Sequence, residues 1–174
     1  MGVFVGVLAA LAVDRWKDRR TRRREELEIL RIVQGSVLLN LDLFQSLKTL
    51  LETKGQKIPT APLELGNLDA VFPRLAAISS DLELTGLVGA FRWGLRHIER
   101  TLDNLVNASL TPFGDLRDPT MKAAFQKRNE ELANIAVSAV DAVERLANEQ
   151  LLPRLAQVIG REAILQTPAG RQAD

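Results

Sequence analysis

"LTGLVGAFRWGLRHIERTLDNL", Leu84 to Leu105, carries the clearest period in the chain. Leu84, Leu87 or Val88, Phe91, Leu95, Ile98, Leu102 and Leu105 recur at spacings of three and four, through about three heptads. Those positions share one face of an α-helix, and the charges at Arg92, Arg96, Glu99, Arg100 and Asp103 fall between them. A strand would show apolar residues at every second position, and no such alternation occurs in the sequence. Ser79-Ser80-Asp81 supplies side-chain oxygens where the helix starts. A helix with one apolar face must bury it against others, so this stretch predicts an all-α fold.

Reading outward, Arg15 to Lys54 holds no proline and one glycine, Gly35. Leu27, Leu30, Val37, Leu41, Phe44 and Leu51 form a stripe, widened by Ile29, Ile32, Leu39, Leu43, Leu47 and Leu50. Gln34 and Lys48 interrupt the narrow seam, which favours bundle packing over a strict coiled coil. Thr53 to Asn67 reads as a loop, and Leu68 to Ser79 as a short helix broken or restarted at Pro73. Thr111 to Thr120 is a second loop, and Asp118-Pro119 opens a helix with a cap and a proline at its first position. The spacing assigns Met121, Phe125, Leu132, Ile135, Ala139, Val143 and Leu146 to its buried face, with Pro153 kinking or ending it. The expected organisation is an anchoring helix over 1–16 that continues into a basic and then long amphipathic helix over 17–54, the rest of an antiparallel three- to four-helix bundle over 55–165, and a disordered tail over 166–174.

Composition removes several classes of function. The 174 residues carry a net charge of +1, but residues 1–24 alone hold seven Lys/Arg against two Asp. The remainder is acidic, so the body is no basic nucleic-acid-binding domain. The absence of cysteine excludes disulfides, thiolate nucleophiles and cysteine metal sites.

The N-terminal stretch "MGVFVGVLAALAVDRWKDRRTRRREE" asks where the protein sits. Gly2 to Val13 is apolar or small and gives about 18 Å of helix, short of the roughly 30 Å of a bilayer core. A signal peptide would place basic residues before the apolar run rather than after it. A buried helix start would be striped, and this run is apolar all round. A membrane anchor fits Trp16 as an interfacial aromatic, followed at once by a basic cluster able to meet anionic headgroups. That cluster is Arg15, Lys17, Arg19, Arg20, Arg22, Arg23 and Arg24. The anchor is the leading reading, with the N-terminus out and the body cytoplasmic at a bacterial inner membrane. The shortfall in length leaves two explanations open, a true start codon upstream or a run that meets other helices within the bilayer. Gly2, Gly6 and Ala10 form a small-residue stripe suited to helix packing, or simply reflect an anchor rich in glycine and alanine.

Val7 to Leu41 resembles a broad group of bacterial single-pass membrane proteins. In that group a small-residue-rich apolar helix ends in an acidic residue and a Trp, and a charged run and a leucine period follow. The matching positions are Asp14, Trp16, Glu26, Leu30, Asn40 and Leu41. The resemblance implies a membrane helix and a helical body, and no activity.

Catalytic equipment is sparse. His97 is the one histidine, at a polar position of its helix, and neither Glu99 nor Asp103 can reach it along that helix. Glu99 with Asp103, and Glu130 with Glu131, read as solvated acidic faces with nothing to raise a pKa. Trp93 with Phe91 could line a pocket, although the Phe sits in the core stripe. No phosphate loop, dinucleotide fingerprint or metal constellation is present, so no cofactor and no metal is expected. The expectation is a non-enzymatic, membrane-tethered scaffold or interaction module, with lipid, an unidentified protein and a further copy of itself as partners and no nucleic acid. A sensory input module is the alternative, and an enzyme built on His97 and the body's carboxylates is the third class.

Overall fold

The computed structural model describes residues 2–53, 63–110 and 118–166, with side chains over 13–53, 63–108 and 118–160. All elements among them are helical: α1 (Gly2–Glu52), α2 (Gly66–Ile78), α3 (Leu82–Leu110), α4 (Pro119–Leu146) and α5 (Leu152–Gln166). A π-helical turn, Ala147–Leu151, joins α4 to α5.

The helices run antiparallel in chain order. Glu25 of α1 pairs with Arg74, and Asn40 with Glu64 just before α2. Asp69 of α2 pairs with Arg96 of α3, and Gly89 of α3 faces the Phe72 ring. Gly94 of α3 faces Val143 of α4, and Lys48 of α1 pairs with Asp141 of α4. One continuous core lies between them, built on Leu30, Val33, Val37 and Phe44 of α1, Leu68 and Leu75 of α2, Leu84, Val88, Phe91, Leu95 and Ile98 of α3, and Ala136, Val140, Leu151 and Leu155 beyond. The α3 stripe is buried as its spacing requires, Leu87 being only half-buried at its edge. Asp81 caps α3 by accepting from the Leu84 N–H at 2.9 Å, and Asp118 caps α4 by accepting from the Thr120 N–H at 2.8 Å.

Elsewhere the structure corrects the sequence reading. The core face of α4 is Ala136, Val140, Val143 and Ala147, continued by Leu151 and Leu155. Of the residues assigned by spacing Val143 is buried, Ala139 and Leu146 are half-buried against the core, and Met121 and Ile135 are exposed. Large side chains marked one edge of the helix, because two of the four core positions are alanines that size alone does not single out. On α1, Ile32 and Leu39 are exposed rather than core. Pro153 does not end its helix. It has no N–H for the Glu149 carbonyl and its ring crowds that oxygen, and the chain widens into the π turn and continues to Gln166. Pro73 likewise sits inside an unbroken α2, on its exposed side. Gly66 and Asn67, assigned to a loop, begin α2. The expected tail keeps only Gln166 within the described residues, and there it is helical.

Candidate functional site

Two surfaces stand out, and the first is the N-terminal third of α1. The helix is continuous from Gly2 to Glu52, about 75 Å at about 1.5 Å per residue. The apolar stretch, the basic stretch and the amphipathic stretch thus form one rod, with the helix continuing through residues 16 and 17 as the sequence implies. Every residue from Val13 to Arg24 is exposed, and contact with the bundle begins at Glu25 and Glu26. Arg15, Lys17, Arg19, Arg20, Arg22, Arg23 and Arg24 all project into solvent. Trp16 is 59% exposed, with the Arg20 guanidinium over its ring at 5.3 Å. Gly2, Gly6 and Ala10 are helical, and their packing lies outside the described side chains. Among the described residues no helix is long and apolar enough to cross a membrane.

The bundle half of α1 is held by polar ties to its neighbours. Asn40, fully buried, accepts from the Glu64 N–H at 2.9 Å and donates to the Glu64 carbonyl at 3.0 Å and the Ser36 carbonyl at 2.8 Å. Its amide replaces a strand partner for the segment entering α2. Toward the other end of α1, Lys48 lies between Asp141 and Glu144, whose carboxylates hold its ammonium above the usual lysine range. Gln45 donates to Glu144 at 3.0 Å. Lys48, an interruption of the α1 seam, thus becomes a tie to α4, as Asn40 is to the segment entering α2.

The second surface is an open groove of about 480 Å³ between α3 and α4, lined by Trp93, Gly94, His97, Ile135, Ser138 and Ala142, among others. Trp93 is 69% exposed and Ile135 50% exposed. The Trp93 and His97 rings stack at 5.6 Å with planes 2° apart. Gly94 forms the floor because a Cβ there would overlap the Val143 side chain. Phe91 is in the core, as its place in the stripe implies, and only Trp93 of that pair lines the groove.

Carboxylate chemistry has little footing here. Asp69 sits between Arg96 and Arg92, which hold it below the usual carboxylate range. Glu99, read from sequence as an unperturbed surface acid, is pushed up, first by partial burial and then by the charge of Asp103. It does not line the groove. Arg154 ties α5 to the start of α3 through Asp81 at 2.9 Å and Glu83 at 3.1 Å. Among the described residues no cluster of His, Asp and Glu could hold a metal ion.

No family model matches the chain, and neither a curated protein nor a solved structure matches it.

Proposed function

We propose that the chain is a non-enzymatic helical interaction module tethered to the cytoplasmic face of a bacterial inner membrane. The observation that supports this most is the emergence of α1 from the bundle as a bare rod with Trp16 and seven basic side chains in solvent. A protein that used these residues for folding would cover them. The apolar residues of Gly2–Val13 enter the hydrocarbon, Trp16 sits at the interface, and the arginines meet anionic headgroups at about 1 kcal/mol each. Insertion and charge are two signals, which is what stable anchoring without a full span requires. The positive-inside bias places the bundle on the cytoplasmic side. The small stripe of Gly2, Gly6 and Ala10 suits packing against another apolar helix in the lipid. Lipid and a protein held by the bundle are the partners of this reading.

Vesicle co-sedimentation of the full chain tests it. Vesicles with about a third anionic lipid should carry the protein down, more strongly than neutral ones by the headgroup attraction. Changing Arg19, Arg20 and Arg23 to Gln should weaken the anionic preference, and salt at about 1 M should reduce binding without abolishing it. Complete release by salt would make the contact purely peripheral, and equal indifference to both vesicles would end the membrane reading.

A further inference from the structure

We infer that the exposed face of α4, with the groove beside it, is a two-fold interface that takes a second copy of this chain, antiparallel, with the symmetry axis at Ser138. The face opposite the core stripe of α4 is formed by Lys127, Glu131, Asn134, Ser138, Ala142, Arg145 and Glu149. All seven are exposed, at spacings of four, three, four, four, three and four. The middle is small and the ends are charged. On the N-terminal side of Ser138 the order is Lys then Glu, and on the C-terminal side it is Arg then Glu.

That order is complementary to itself when reversed. Position i of one copy faces position 276 − i of the other in an antiparallel pairing about Ser138. Glu131 then faces the partner's Arg145, and Lys127 faces the partner's Glu149. The two-fold axis repeats both, so four opposite-charge pairs form with no like-charge pair between them. A parallel pairing in register would instead set each charge against its own copy. Among the described residues none of these four has an ion-pair partner. The i,i+4 pairs that their spacing allows, Lys127 with Glu131 and Arg145 with Glu149, are left unmade.

The apolar part of the contact comes from the groove. Trp93 of α3 lines the groove together with Ala142 and Val143 of α4, where an antiparallel partner brings Asn134 and Ile135 of its own α4. Each copy so covers the other's exposed Trp93 and Ile135, and the small side chains at the axis let the two helices approach closely. Surface ion pairs add little affinity but set partner and orientation, so the aromatic contact holds the dimer and the charges choose its register. This contact does not depend on the membrane reading, since it uses the opposite side of the molecule's sequence from residues 2–24.

The cysteine-free chain makes the test direct. A full-length Ser138→Cys variant in mild detergent should form a disulfide-linked dimer on mild oxidation, because the two residues meet on the axis. A Ser46→Cys variant, at an exposed site on α1, should not. Glu131→Arg in the Ser138→Cys background should raise the dimer dissociation constant at least about tenfold and suppress crosslinking, with helix content by circular dichroism unchanged. Adding Arg145→Glu should restore it. Trp93→Ala should weaken the dimer without a charge effect. Crosslinking at Ser138→Cys no faster than at Ser46→Cys, indifference to Glu131→Arg, or no rescue by the charge swap would each overturn the inference.

Discussion

Asn40 shows how much one side chain can decide. It is a buried amide whose three hydrogen bonds join α1 to the backbone at Glu64. Asn40→Ala leaves a peptide N–H and a carbonyl without partners, and each such loss costs about 1–3 kcal/mol. Urea denaturation should show about 2–4 kcal/mol of destabilisation, and Asn40→Asp should fare no better, since it cannot donate to two carbonyls. Gly94 is the second decisive residue. Gly94→Ala would drive a methyl into the stiff, β-branched Val143 and push α3 from α4, at a cost of about 1–3 kcal/mol. Val143→Ala should relieve that clash, so the double variant should lose less than the sum of the singles. Neither role could be read from sequence. The contacts of Asn40 lie 24 residues away and those of Lys48 with Asp141 and Glu144 lie further still, and a polar residue in an apolar stripe looks like an interruption until its partners are known.

Among the elements, α3 was legible and α4 was not, for one physical reason. The α3 core face is made of large residues, Leu84, Val88, Phe91, Leu95 and Ile98, whose burial follows from their size. The α4 face includes the small Ala136 and Ala147, and a reading weighted by side-chain size turned toward the exposed Ile135. The groove beside Trp93 was visible only as an odd aromatic next to the core Phe91. The helix caps at Asp81 and Asp118 were legible because capping is local chemistry. The α2–α3 pairing through Asp69 sets a dependence on acid. Asp69 is held below its unfolded value of 3.8, so its contribution is complete above that value and is lost as pH falls through the lower native one. Glu99 has the opposite sign. Its native value is raised above 4.5, so its ionised form opposes folding at neutral pH and protonation relieves that opposition. Glu99→Gln should therefore stabilise the protein at pH 7, with the gain shrinking as the pH falls through the raised native value and gone below about pH 4.5, while Asp69→Asn should destabilise at pH 7 and become neutral in strong acid. Urea midpoints of both variants across pH 3–7 would show the two opposite slopes.

At the scale of the whole molecule, the architecture is a bundle on a handle. A 51-residue α1 gives its C-terminal half to the core and leaves its basic N-terminal third uncovered. The helical fold, the basic run and the continuity of one helix through the apolar and basic stretches were all evident from the residues. Nothing at the boundary near Trp16 signals a break, because Asp, Arg, Lys and Glu all tolerate a helix interior. In the proposed membrane-tethered reading the handle is the part that meets lipid, and the two tryptophans report on that separately. Trp16 lies on the handle and Trp93 on the bundle surface. The most direct measurement is quenching of tryptophan fluorescence by brominated lipid in anionic vesicles, with Trp93→Phe isolating Trp16 and Trp16→Phe isolating Trp93. The account predicts strong quenching of Trp16 and none of Trp93. Quenching of Trp93 with Trp16 untouched would put the bundle rather than the handle on the membrane, and would contradict it.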